Sequence, residues 1–99
     1  MEYSFSQLSN IAKSLRERYP IGTRIKLISM GDDPRPIPPG TKGTVEGIDD
    51  IATVFCRFDN GRSLGLAYGE DHYRALTQAE LLEEKCARNY DKFNDAVHR

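Results

Sequence analysis

Residues 52–67 read ATVFCRFDNGRSLGLA, and their pattern decides the fold. The first half alternates. Val54, Cys56 and Phe58 fall on one face of an extended chain, and Thr53, Phe55 and Arg57 on the other. Asp59-Asn60-Gly61 interrupts the alternation. Asn-Gly between two alternating runs is the strongest short hairpin signal, since both residues tolerate positive φ, and it predicts a primed turn here. The chain returns over residues 63–67 with Leu64 and Leu66 inward. An acid beside a polar residue invites a catalytic reading of Asp59-Asn60, but a tight turn accounts for both.

Working outward, the same period of two governs residues 23–28, with Ile25 and Leu27 facing one way and Arg24 and Lys26 the other. Residues 30–40, MGDDPRPIPPG, hold four of the five prolines and must form a loop, because proline cannot donate to a ladder. Residues 41–48 resume as a strand whose glycines, Gly43 and Gly47, mark a bulge or a sharp bend. Asp49-Asp50 turns the chain into residues 52–58; Tyr68-Gly69-Glu70-Asp71 turns it into a short closing strand over 72–76. Amphipathic helices flank these strands. Residues 4–19 carry a capping box (Ser4, Gln7) and an apolar stripe of Leu8, Ile11, Ala12 and Leu15, stopped by Pro20. Residues 77–98 open on a second box (Thr77, Glu80) and carry Leu82, Cys86, Tyr90, Phe93 and Val97 along one side. The fold class is mainly β with flanking helices: a five-stranded SH3-like barrel in a single domain, 1–99.

PPGTKGTVEGIDD, FDNGRSLGL and GEDHY, within residues 21–76, resemble the uncharacterised small-barrel family called domain of unknown function 4314. The resemblance implies a barrel and no particular activity. It leaves both helices outside the matched region, and it meets Phe58 where the family pattern usually has Trp. It also implies a setting in Gram-positive bacteria, their phages and other mobile elements.

Composition narrows the function. The 99 residues suit one core, and 38% apolar content leaves little for a deep ligand cavity. Fourteen basic side chains face fifteen acidic ones, without the basic excess that phosphate neutralisation asks of a dedicated duplex binder. Cys56 and Cys86 show neither pairing nor metal spacing, and the N-terminus lacks a basic start and apolar run. The expectation is a cytoplasmic protein with free thiols, no cofactor and no membrane contact. Three acidic pairs (Asp32-Asp33, Asp49-Asp50, Glu70-Asp71) fit no calcium-loop pattern and belong to turns. Cys56 and His72 form a nucleophile–base pair on paper only, because Cys56 lies on the apolar face. GTKGTVEG lacks the ending of a phosphate loop and runs into a strand. No metal site and no enzyme follow.

What remains is surface. Arg24, Lys26 and Arg57 point outward from neighbouring strands, Arg35 and Lys42 flank the proline loop, Arg62 follows the hairpin turn, and Tyr68 and Tyr73 stand nearby. Arginine beside aromatic rings suits RNA or an acidic protein segment, although a plain solvated face has the same composition. Phe55, outward and apolar, needs cover. Phe55 and Ile28 are the expected landing sites for one helix, the inner face being filled by the strands themselves. The longer stripe, with Tyr90 and Phe93, is then expected to pack partly on the barrel and partly on a second copy or a partner. The reading is a non-catalytic macromolecule-binding module with a protein partner. By analogy with its setting, it is an accessory protein that docks on and inhibits a host defence protein. The alternative is a nucleic-acid-binding accessory protein using the basic barrel face.

Overall fold

The structure, a computed structural model, describes residues 3–31 and 33–97, the side chains of 88–97 excepted. Seven elements follow in order: α1 (Phe5–Arg18), β1 (Arg24–Ser29), β2 (Lys42–Ile48), β3 (Val54–Phe58), β4 (Ser63–Leu66), β5 (His72–Ala75) and α2 (Gln78–Val97). Both capping boxes are formed. The Gln7 N–H donates to Ser4 Oγ and the Ser4 N–H to Gln7 Oε1, at 3.2 and 2.8 Å. The Glu80 N–H donates to Thr77 Oγ1 and the Thr77 N–H to Glu80 Oε1, at 3.1 and 2.9 Å. Each box satisfies two backbone donors that a helix start leaves orphaned.

The strands form one antiparallel sheet in the order β4-β3-β2-β1-β5. β1 to β4 are a meander, and β5 returns to pair with β1. Two bulges bend it. The β1–β5 register shifts between Leu27 and Ser29, and the β2–β3 register between Val45 and Gly47. The extra residues, Ile28 and Glu46, are exposed. A bulge adds twist and curvature, so the sheet coils around its apolar face. β4 and β5 remain its two edges, and the sheet is open rather than closed on itself.

That open edge corrects the expectation for α1. The helix does not land on Phe55 and Ile28, which stay 45% and 46% exposed. Ala12, Leu15 and Tyr19 enter the same core as Ile25, Leu27, Val45, Val54, Cys56, Phe58 and Leu66. The inner face of an unclosed sheet is not filled by its own side chains, and α1 supplies the missing wall. Arg16 fixes its end, donating from Nε and Nη2 to the Ile48 carbonyl and pairing with Asp50 at 2.8 Å. From the proline loop, Ile37 is buried in the same core, and its N–H donates to Met30 Sδ.

The hairpin after β3 also departs from expectation. Gly61 is left-handed at φ +91°, but among the described residues the one non-glycine with positive φ is Ala52. Asn60 is therefore not left-handed, and the primed two-residue turn is replaced by a three-residue loop. The Gly61 N–H donates to Phe58 O at 3.0 Å and the Phe58 N–H to Arg62 O at 2.7 Å. Two contacts favour this loop: the Asp59 N–H donates to Lys42 O, and Asn60 Oδ1 accepts from the Arg62 N–H. A left-handed last residue is the usual form of such loops.

Phe58, 1% exposed, lies opposite Gly43 in the β2–β3 register. A methyl at Gly43 would stand 2.9 Å from Phe58 Cδ1 and 3.0 Å from the Arg57 carbonyl, whereas one at Gly47 meets nothing. Phe58→Ala should cost about 3–5 kcal/mol in urea unfolding; a variant melting within a degree or two of the parent contradicts the register. Gly43→Ala should destabilise by about 1–3 kcal/mol. Gly47→Ala should be neutral or stabilise by about 0.4–1 kcal/mol, and equal effects at the two glycines would rule out the steric assignment.

Candidate functional site

Alternation along β1, β2 and β3 sends one set of side chains to the core and the other to the outer face. In register, Arg24 of β1 stands beside Thr44 of β2, which stands beside Arg57 of β3. Lys26 stands between Lys42 of β2 and Arg74 of β5. The cations expected on one face are thus brought together, with Arg74 added to them.

They do not stand free. Arg24 is gripped by two carboxylates. Its Nη1 and Nη2 donate to Asp59 Oδ1 and Oδ2 at 2.9 and 2.6 Å. Its Nε lies 3.1 Å from both oxygens of Glu84, and its Nη2 also donates to Glu84 Oε2 at 2.7 Å. Nη1 reaches Thr44 Oγ1 as well, at 2.9 Å. Lys26 pairs with Glu80 at 2.8 Å, and Arg74 makes two hydrogen bonds to the same carboxylate. Arg57 pairs more loosely with Glu46 at 3.4 Å. Glu80 and Glu84 are four residues apart, on one side of α2. The first turns of α2 therefore lie on the basic rows with their acidic side toward the sheet.

This orientation corrects the expectation for α2. Leu82, at the start of its apolar stripe, is 62% exposed, Leu81 is 40% exposed, and Cys86 is exposed too. The described part of the stripe does not pack on the sheet. Tyr90, Phe93 and Val97 have side chains outside the described residues. The signal for the true arrangement was in the sequence: Glu80 and Glu84 match a doubly basic strand.

The remaining candidates fall in three places. Phe55 sits between Gly47 and Gly65 in the two neighbouring registers. A methyl at Gly65 would be 3.1 Å from Phe55 Cε1, so the ring draws its partial cover from a bare strand position rather than from a helix. Arg62 Nη1 donates to the Arg35 carbonyl at 2.6 Å and ties the proline loop to the hairpin end. Tyr68 and Tyr73 lie outside the arginine rows. They line a cleft with Tyr3, Arg18 and Tyr19, residues that sequence reasoning passed over.

The acids of the turns have structural work. Asp49 Oδ1 accepts from the Ile51 and Thr53 N–H groups. Asp71 accepts from the Gly31 N–H with one oxygen and the Ala67 N–H with the other, each at 2.8 Å. Cys56 is fully buried, and burial pushes its thiol up to about 12, so at neutral pH the nucleophilic thiolate is scarcely populated.

Three of the carboxyls paired with these cations titrate below their ordinary range: Glu80 through Arg74 and then Lys26, and Glu84 and Asp59 through Arg24. A lowered folded pKa adds stability that is complete above the unfolded value, about 4, and lost as pH falls through the folded one. Acidification from neutrality to below pH ~4 should therefore loosen the start of α2. Amide-exchange protection at residues 81–85 should fall ahead of that in β3. Glu84→Gln should show the loss already at neutral pH. Protection at residues 81–85 that tracks β3 at every pH would exclude an electrostatic hold.

No helix among the described residues is long and apolar enough to cross a membrane. Among curated proteins none matches the chain in sequence. A family model does, over residues 8–76, a span that takes in most of α1, so of the two helices α2 alone lies wholly outside the matched region. The chain belongs to the family described as Domain of unknown function (DUF4314).

Proposed function

We propose that this chain is a non-catalytic module that binds a protein partner, with α2 carrying the contact. One observation supports this above the others. α2 is held to the sheet by Glu80 and Glu84, and it leaves Leu81 and Leu82 exposed. An amphipathic helix of this length is marginal in water unless its apolar side is covered. Charge on one side and bare leucine on the other is the division expected of a helix that joins two proteins. The sheet order, the return of β5 to β1 and the two bulges support assigning the β region to a partly open SH3-like barrel, a fold class that serves as a binding scaffold. By analogy with the setting that the family resemblance implies, we take the partner to be a host protein, met in the cytoplasm and inhibited by being covered.

The basic face is a poor nucleic-acid surface by comparison. Arg24, Lys26 and Arg74 each have a carboxylate within 2.8 Å, and a phosphate would have to displace it. Counterion release, the main source of affinity for nucleic acid, is small where the cations are already neutralised.

Leu82→Glu should abolish partner capture while leaving the melting temperature unchanged, since Leu82 buries little surface in the isolated chain. The check is recovery of one host protein in stoichiometric amount by the parent but not the variant, reproduced with both proteins purified. Light scattering on the chain alone separates a second copy from a foreign partner. Gel shifts at two salt concentrations should show no oligonucleotide complex. A salt-sensitive complex, unaffected by Leu82→Glu, would refute the proposal.

A further inference from the structure

The end of α1 and the β4–β5 turn enclose an open cleft of about 340 Å³. Four of the five tyrosines in the chain line it: Tyr3, Tyr19, Tyr68 and Tyr73. They are set as two edge-to-face pairs. Tyr3 and Tyr68 have centroids 5.3 Å apart at 67°, and Tyr19 and Tyr73 have centroids 5.3 Å apart at 64°. The walls are preformed. Asp71 holds the β4–β5 turn to Gly31 and Ala67, and Gly69, at φ +86°, gives Tyr3 a bare backbone to lie on, 3.4 Å from the position of an added methyl. Tyr19 and Tyr73 are anchored in or against the core. Arg18 stands 5.6 Å from the Tyr19 ring centroid and makes no salt bridge among the described residues.

We propose that this cleft binds an extended, proline-rich segment of a partner protein, with an acidic residue of that segment paired to Arg18. Rings crossed at these angles leave notches between faces and edges rather than a flat platform. A pyrrolidine ring fits a notch, whereas a nucleobase stacks on an open parallel face. A polyproline II chain makes no internal hydrogen bonds, so its carbonyls are free to accept from hydroxyls of the tyrosines that line the cleft. One cation with no salt bridge among the described residues is too little to follow a phosphate backbone but matches one carboxylate. Both the ligand segment and the walls are stiff before they meet, which limits the entropy lost on binding.

The cleft is a different surface from the leucines of α2, and the two readings fail separately. With no tryptophan in the chain, tyrosine emission reports on the cleft directly. Decaproline, and a decaproline extended by glutamate, should each change that emission saturably, with Kd about 1 mM or tighter. Amide shifts should concentrate at Tyr68, Gly69, His72 and Tyr73. Tyr68→Ala, at a 39% exposed turn position, should remove the response, and Tyr3→Ala should do so without touching a core side chain. Arg18→Gln should weaken the glutamate peptide about two- to fivefold and leave decaproline unchanged. Leu82→Glu should bind both peptides as the parent does. Absence of a saturable response to either peptide overturns the proposal. So does oligouridylate saturating the same amides when the peptides do not, since the cleft would then be a base-stacking site.

Discussion

The guanidinium of Arg24 is the junction on which the arrangement of the outer face depends. It belongs to β1, touches Thr44 of β2, grips Asp59 at the end of the β3–β4 hairpin and holds Glu84 of α2. Five donors in a rigid plane make this feasible; a lysine in its place is a point charge without the fork that meets each carboxylate with paired bonds. With its side chain only 21% exposed, it is screened less than an ordinary surface pair. Two consequences follow from one side chain: the hairpin end is pinned, and α2 is oriented acidic side inward, which brings Glu80 onto Lys26 and Arg74.

β3 shows how glycine decides where aromatic surface goes. Its two phenylalanines point to opposite faces, and each is answered by a neighbour without a side chain. Inside, Phe58 fills the space that Gly43 leaves, and outside, Phe55 lies over Gly65 of the β4 edge strand. Aromatic cover of a bare edge position protects backbone that would otherwise be wet. The exposure of Phe55 is thus partly a matter of sheet stability. It weighs less as evidence of a partner than the bare leucines of α2 do.

Most of the sheet was legible in the sequence because a period of two depends only on which side chains can leave water. The faces of β3, the inward Ile25 and Leu27, and both capping boxes needed no tertiary information. What escaped reading is tertiary in origin. Ile37 is a single apolar residue among prolines, and no period marks it as a core residue. Ala52 is buried at φ +63° because the Asp49 side chain and carbonyl fold the preceding turn back on it. Neither α1 on the inner face nor α2 on the basic rows can be foreseen unless the sheet is known to stay open. The cleft joins Tyr3 and Tyr68 across most of the chain, a proximity that local spacing does not encode.

The two helices are attached by different physics. α1 is bound chiefly by burial: Ala12, Leu15 and the C-cap Tyr19 leave water for the common core, a contribution that acid does not remove. α2 is bound, over its described side chains, by carboxylates on cations, a hold that weakens with acid and with ionic strength. The family span divides the chain in the same place, since it begins within α1 and ends before α2. α1 is thus part of what makes the sheet a domain, completing a core that five short strands leave open. α2 is an addition laid across a finished surface, and it can be loosened there without exposing that core. A helix secured in this way can turn its apolar side to a partner while the domain beneath it keeps its fold.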